Sequence, residues 1–234
     1  MVNQAIIVTC EHGGNIIPAK YKRYFQSAEN VLNSHLGFDA GALHLARSIS
    51  KKLNTELFFS KVSRLLVDLN RSATHKKLLS QFTSSLSEES KQDLLKKHYL
   101  PYRQKVEKKI SSLLSKKNSV LHFSIHSFTP VLNEKKRKAD IGILFDPARK
   151  NETILAKELK KYIKGLSPDL NVRFNYPYLG ISDGFVPYLR KRFGKSYVGL
   201  EIEFNQSLNG RNGKPLSDFN DILVQAIYLI QQSR

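Results

Sequence analysis

Apolar and polar residues follow two periods along the chain, and together they predict strands separated by helices. Short apolar runs predict buried strands, and these runs are 5–10, 56–60, 62–69, 119–125, 141–145, 171–175 and 197–204. Helical spacing predicts helices after residue 40, over 151–164, over 184–193 and in the C-terminal segment. Ser85 and Glu88 fit a capping box at the start of a long basic helix, which Pro101 should kink or divide.

This alternation of strands and helices predicts an α/β fold, a three-layer sandwich with a mixed, largely parallel sheet. The chain of 234 residues is long enough for one well-buried core, and no linker rich in proline, glycine or serine divides it. We therefore expect a single domain over residues 1–234. Ligands of such sheets bind at the carboxyl ends of the strands, so side chains in that position are the first candidates for a site.

The net charge of +18 is the strongest feature of the composition. A basic surface attracts nucleic acid, other anionic surfaces or a small acidic substrate. Most of the lysines occur in pairs spread along the chain, which is typical of solvated helix faces, and the one dense run, 135–138, is predicted as the loop between two strands. The chain has neither zinc-finger spacing nor the aromatic box of an RNA-binding domain, so we expect no nucleic-acid partner.

Two features of the sequence bear on the compartment. No apolar run approaches the roughly 20 residues that a helix needs to cross a bilayer, and the first residues lack the pattern of a secretory signal. Cys10 is the only cysteine, so no internal disulfide forms, which suits a reducing compartment. These features predict a cytoplasmic protein without a membrane partner.

Three predicted strands end in side chains that could bind a metal or take part in catalysis. They are Glu11 and His12 after the first strand, His126 at the end of the strand in SVLHFSIHSFTP, and Glu201 and Glu203 on one face of the strand in YVGLEIEFNQ. Two histidines and a carboxylate suit a catalytic zinc that keeps one position open for water, and a nearby glutamate can act as general base. The alternative is structural: His12 caps a glycine turn, His126 is a hydrogen-bonded core residue, and the glutamates pair with lysines.

Two further segments are rich in polar residues. SRLLVDLNRS places Arg64 and Arg71 near the end of an apolar run, and arginine binds carboxylates bidentately. Either arginine could hold an acidic substrate, or Arg64 could pair with Asp68 and fix the end of the run. The density of turn formers in NYPYLGISDG, which contains Tyr178, is typical of an ordered loop over a site, although a rigid connector would have the same composition.

Seven segments occur in a characteristic order: CEHGGNIIP, GFDAGA, SRLLVDLNRS, HSFTP, DIGILFD, NYPYLGISDG and GLEIEFNQ. As a set, over about residues 5–208, they resemble the N-formylglutamate amidohydrolase family. The resemblance implies a zinc carboxypeptidase-like (phosphorylase/hydrolase-like) fold, related also to the aspartoacylases. It further implies a zinc-dependent hydrolase that cleaves the amide between an acyl group and an amino acid, in the type reaction giving formate and glutamate.

The same resemblance implies which residues bind the zinc. His12 and His126 match the metal-binding histidines of the family. Related enzymes have a glutamate three residues after the first histidine, where this chain has Asn15, a poor zinc ligand. The third ligand is therefore Asp39 or Glu11, and we prefer Asp39 slightly.

The resemblance also implies the catalytic and substrate-binding residues. Glu203 matches the general base and proton shuttle, and Glu201, on the same strand face, is the alternative candidate for that role. Arg71 matches the residue that holds the substrate carboxylate. We expect further substrate contacts from Arg64, Asn70, Asn15 and Tyr178.

The implied substrate is a small acidic N-acyl amino acid such as N-formylglutamate. Members that act in histidine degradation have the sequence HSG where this chain has HGG. The resemblance therefore supports the fold and the hydrolase class more strongly than it supports the identity of the acyl group. One alternative is a zinc peptidase or amidase that acts on another acylated or blocked acidic substrate. The other is a non-enzymatic basic protein that binds polyanions on the same scaffold, without a metal and with a steep salt dependence.

Overall fold

The computed structural model, which describes residues 4–234, has a six-stranded sheet at its centre. Its strands are β1 (Gln4–Cys10), β2 (Leu57–Phe59), β3 (Ser119–Phe128), β6 (Ile141–Leu144), β7 (Val172–Phe174) and β8 (Tyr197–Asn205). A separate antiparallel hairpin consists of β4 (Val131–Leu132) and β5 (Lys135–Lys136). The strand order in the sheet is β2-β1-β3-β8-β6-β7. Neighbouring strands are parallel except for β6 and β8, so the sheet is mixed and mostly parallel, as predicted.

Helices cover both faces of this sheet. They are α1 (Glu29–Leu32), α2 (Ala42–Leu53), α3 (Glu88–Leu94), α4 (Leu100–Leu114), α5 (Lys150–Leu166), α6 (Phe185–Phe193) and α7 (Ser217–Gln232). One face packs against α2, α5 and α7, and the other packs against α4 and α6. The predicted three-layer α/β sandwich is thus confirmed, while a single domain over residues 1–234 stays a prediction. Among the described helices, none combines the length and the hydropathy required to cross a membrane.

The two faces of the sheet differ in chemistry because side chains alternate along β3 and β8. On the face toward α2, α5 and α7, the middle of both strands carries apolar core residues; these are Leu121, Phe123, Ile125, Val198, Leu200, Ile202 and Phe204. On the opposite face, Val120 and Tyr197 pack near the amino ends of the strands. The carboxyl ends of that face carry buried polar residues, namely Ser124, His126, Glu201 and Glu203. The parallel register pairs His126 with Glu203, so these two lie side by side.

Residues 62–69, predicted as a strand, do not form one. Apart from an isolated bridge between Ile16 and Val62, the segment consists of turns and irregular backbone. Its apolar side chains lie in a smaller core beside the sheet, which includes Leu66, Val67, Leu69, Tyr21 and Phe25. The prediction is wrong because a continuous apolar run reports burial and does not by itself distinguish a strand from a buried loop.

The basic helix begins two residues later than predicted. Ser87, not Ser85, accepts the capping hydrogen bond from the third helical residue. The helix then continues through a π-helical turn, Leu95–Tyr99, directly into α4, whose second residue is Pro101. Proline has no N–H to donate, and the change of helix type lies directly before it. The basic run 135–138, predicted as a loop, is partly a strand because its first two residues pair in the hairpin.

The turn after β1 passes very close to the end of β2. A Cβ on Gly14 would lie 2.7 Å from the carbonyl oxygen of Lys61, and one on Gly13 would lie 2.9 Å from that of Ser60. Neither glycine has a positive φ. Glycine is therefore required here for the close approach of two backbone segments, which brings the end of β1 against the chain that follows β2.

Gly14→Ala is expected to lower the free energy of unfolding by about 1–3 kcal/mol, because the added methyl group overpacks this contact. Gly165→Ala is the matched control, since nothing lies within 4 Å of a Cβ at that position in α5. Alanine should stabilise that helix by up to about 1 kcal/mol. Urea unfolding of both variants measures the difference, and a Gly14→Ala protein as stable as wild type would contradict the close approach.

Candidate active site

A cavity of about 310 Å³ opens at the carboxyl ends of β1, β3 and β8. Most of the predicted site residues line it, namely His12, Asp39, Arg64, Asn70, Arg71, His126, Tyr178, Glu201 and Glu203. The histidines, Asp39 and the two glutamates are buried, whereas Tyr178 is 47% exposed. The polar groups therefore lie deep in the cavity, and Tyr178 lies at its mouth.

Two histidines converge on Asp39, which lies between α1 and α2. Oδ2 of Asp39 is 2.8 Å from Nδ1 of His126 and 3.4 Å from Nδ1 of His12. One potential ligand atom from each of the three residues lies within 4.8 Å of the other two. The backbone N–H of Asp39 also donates to the carbonyl of His12 at 2.9 Å, so the loop that carries Asp39 is bonded directly to the turn after β1.

Each histidine has a second carboxylate partner on its other ring nitrogen. Nε2 of His12 is 2.7 Å from Oδ1 of Asp68, and Nε2 of His126 is 3.2 Å from Oε2 of Glu11. When Nε2 carries the proton and donates to the carboxylate, Nδ1 keeps its lone pair for another ligand. Metal-binding histidines are commonly oriented in this way. Glu11 thus lies on the far side of the His126 ring from Asp39.

The carboxylates around the histidines stabilise positive charge. Burial alone would lower the pKa of His12 and His126, but their carboxylate partners raise both above the ordinary value. Burial likewise opposes the ionisation of Asp39 and Glu11, yet the histidines hold the pKa of each carboxyl well below its usual range. Two imidazoles and a carboxylate are a donor set that zinc prefers, so these residues fit a bound metal ion.

The two glutamates of β8 have different surroundings. Oε2 of Glu201 accepts a hydrogen bond from Nδ2 of Asn70 at 3.2 Å, and Oδ1 of Asn70 accepts one from the backbone N–H of Phe185 at 2.7 Å. Oε2 of Glu203 is buried and has no hydrogen-bond partner among the described residues. Burial raises the pKa of Glu203 to about 7. A carboxyl that titrates near neutrality is suited to accept and return a proton, which favours Glu203 over Glu201 for that role.

The two arginines predicted to bind substrate both have partners within the protein. Arg64 donates to Asp68 at 2.9 Å and to Asp39 at 3.4 Å, so it forms the structural ion pair with Asp68 that the sequence left open. Arg71 donates to the carbonyl of Asp183 at 2.9 Å, and its Nε lies 3.9 Å from Asp68. Arg71 therefore has the greater freedom to bind a ligand.

Asn15 is not part of the cavity lining. Its Nδ2 donates to Oδ1 of Asn33 at 2.7 Å, because the chain after the glycines turns away from the site. This corrects the expectation that Asn15 contacts the substrate. Two residues of the site were not predicted. Asp68, for which the sequence suggested only an ion pair with Arg64, contacts His12. Arg137, which the sequence placed in a basic loop, lines the cavity.

Arg103 in α4 supports the segment that carries Asn70 and Arg71. It is buried, and its Nη1 donates to the carbonyls of Leu69 and Arg71, each at 3.1 Å. Its guanidinium carbon lies 4.3 Å from the ring centroid of Phe185. No sequence signal distinguishes Arg103 from the other basic residues of its helix, and only the tertiary packing gives it this role.

Arg103→Met is expected to lower the free energy of unfolding by about 2–3 kcal/mol, because the buried carbonyl of Leu69 loses its donor. Arg192→Met is the control, since the Arg192 side chain is 63% exposed and 4.0 Å from its acidic partner; its effect should stay within about 0.5 kcal/mol. Thermal and urea unfolding compare the two. Equal effects would show that Arg103 does not support the segment.

Comparisons with known proteins agree with this architecture. The family model of N-formylglutamate amidohydrolase matches residues 4–209. A gene product of Agrobacterium tumefaciens is similar, with 26% identity, a TM-score of 0.76, and coverage of 97% of this chain and 91% of that chain. An N-formylglutamate amidohydrolase from Ralstonia eutropha has the same fold, with 14% identity, a TM-score of 0.73, and coverage of 100% and 94%. The comparison with curated proteins gave no match. The chain belongs to the N-formylglutamate amidohydrolase family, and it is a hydrolase that acts on amides.

Proposed function

We propose that this protein is a zinc-dependent amidohydrolase that cleaves the N-acyl amide of an acidic amino acid, with N-formylglutamate as the first substrate to test. The observation that carries the proposal is the convergence of His12, Asp39 and His126 in the cavity that also contains the unpartnered carboxylate of Glu203. Family membership favours this reading over the polyanion-binding alternative. A cytoplasmic location is part of the proposal and rests on the single cysteine.

In this proposal His12, Asp39 and His126 hold the zinc. Asp39 is preferred to Glu11 because it faces Nδ1 of both histidines, whereas Glu11 contacts the opposite nitrogen of His126. Bound zinc supplies polarisation of the acyl carbonyl and a lower pKa for water. Glu11 and the aspartate behind His12 orient the two imidazoles and keep the outer ring nitrogens protonated.

The remaining steps belong to the side chains of the cavity. Glu203, which lines the cavity, accepts the proton of the attacking water and later returns it to the leaving amine nitrogen. Arg71 binds the α-carboxylate of the amino acid and so fixes the amide relative to Glu203. Asn70 holds Glu201 in place beside the reacting groups.

One observation favours a substrate with a larger acyl group. Leu132 and Leu179 line the cavity and are 36% and 57% exposed. A formyl group presents no apolar surface to them, whereas a longer acyl group or a peptide would. The second candidate is therefore an amidase or peptidase for another acylated acidic substrate, with the same catalytic residues.

Turnover by the zinc-loaded protein tests the choice between these candidates. N-formyl-, N-acetyl- and N-hexanoyl-glutamate are compared by release of the free amine. Preference for N-formylglutamate supports the first candidate, and preference for the hexanoyl compound supports the second. Hydrolysis of none of them would contradict both.

Asp39→Asn is expected to abolish zinc binding because it replaces the anionic carboxylate by a neutral amide, and His12→Ala and His126→Ala because each removes a ligand nitrogen. Glu11→Gln, the matched carboxylate control, should keep the zinc and weaken its binding by about 10- to 100-fold through the orientation of His126. Elemental analysis and zinc titration measure both effects. If Glu11→Gln lost the metal while Asp39→Asn retained it, the third ligand would be Glu11.

Glu203→Gln is expected to lower kcat by about 10²- to 10⁴-fold while zinc content is unchanged, because the proton acceptor is lost. Glu201→Gln should have a smaller effect, since the hydrogen bond from Asn70 already engages that carboxylate. Steady-state kinetics on the best acyl-glutamate, with metal analysis of each variant, makes the comparison. A larger loss in Glu201→Gln would reverse the two roles.

A further inference from the structure

Arg137 is the one arginine of the cavity lining that has no carboxylate partner among the described residues. Arg64 and Arg71 lie 2.9 and 3.9 Å from Asp68. Nη1 of Arg137, by contrast, is buried and has no hydrogen-bond partner in the described part of the chain. Arg137 lines the cavity, so a guanidinium group without a carboxylate partner of its own is placed to bind an anionic ligand there.

The guanidinium of Arg137 is held in place before any ligand arrives. Its carbon lies 5.6 Å from the ring centroid of Phe128 and 5.4 Å from that of Tyr178. The backbone N–H of Arg137 donates to the carbonyl of Pro130 at 2.8 Å, and its carbonyl accepts from Nδ2 of Asn205 at 3.2 Å. A guanidinium packed on aromatic rings loses little conformational freedom when it binds a carboxylate.

The neighbours of Arg137 in the basic run do not share this position. Lys136 and Lys138 are exposed and are not part of the cavity lining. Only Arg137 turns from the end of the hairpin toward the carboxyl ends of β3 and β8. The position is therefore specific to one side chain and does not reflect the general basic charge of the run.

We propose that Arg137 binds the second carboxylate of the substrate and selects an acidic side chain over its neutral amide isostere. The inference rests on the proposed function, in which Arg71 takes the α-carboxylate and leaves Arg137 for the side chain. The two arginines belong to separate segments that line one cavity, the loop after β2 and the connection between β5 and β6. A carboxylate offers two acceptor oxygens to the planar fork of arginine, whereas a carboxamide offers one.

The test compares N-formylglutamate with its isostere N-formylglutamine on the zinc-loaded protein. Arg137→Gln should lower the ratio of the two kcat/KM values by about 10- to 100-fold, through loss on the acidic substrate alone. Arg137→Lys, which keeps the positive charge but lacks the planar guanidinium group, should retain part of the preference for N-formylglutamate. Lys138→Gln removes the same charge one residue away and should leave the ratio unchanged. An equal loss on both substrates, or the same change in Lys138→Gln, would overturn the proposal.

Binding of L-glutamate and L-glutamine, measured by calorimetry on the same variants, separates this inference from the proposed reaction. If wild type hydrolyses neither formyl compound but Arg137→Gln still loses the preference for glutamate, the reaction is wrong and the role of Arg137 is supported. If wild type hydrolyses N-formylglutamate and Arg137→Gln keeps the full preference for acidic ligands, the reaction is supported and Arg137 does not select the side chain.

Discussion

The contact of one buried carboxylate with two buried histidines organises this protein. Asp39 faces Nδ1 of both His12 and His126, and a buried charge of this kind is costly unless it is paired. Arg64 and the carboxylates behind the histidines complete the pairing. The loop that carries Asp39, the turn after β1 and the end of β3 are thereby tied together, and the cavity opens above them. The same excess of negative groups that stabilises imidazolium also suits a metal cation.

The sheet supplies the rigid frame for this contact. Parallel register sets His126 beside Glu203 on neighbouring central strands, so the proposed metal ligand and the proposed proton acceptor need no loop to bring them together. Loops form part of the cavity wall, where the loop after β2 contributes Arg71 and the hairpin connection contributes Arg137. Catalytic groups on strands and substrate-contacting groups on loops are a common division of roles in α/β enzymes.

Much of this arrangement could be predicted because strand alternation is a local property. The placement of Glu201 and Glu203 on one face follows from alternation within their own strand, and each strand of the six-stranded sheet and each helix except α1 lies where the sequence indicates. The strand predicted for residues 62–69 is absent for a physical reason: their apolar side chains pack in a secondary core, and their backbone does not pair in the sheet. The expectation that Asn15 contacts the substrate was not met, because a position in a motif specifies spacing along the chain and not the direction in which the backbone leaves a turn.

The sequence by itself determined the layers, the polar face of the sheet and the ends of the strands at which chemistry is placed, because periodicity and side-chain direction are coupled within each element. Only the tertiary structure distinguishes Asp39 from Glu11, because both lie near His126 but face opposite nitrogens of its imidazole ring. It also separated Arg137 from Arg64, because Arg64 pairs with Asp39 from a distant part of the chain in addition to its neighbour Asp68, whereas Arg137 has no carboxylate partner among the described residues.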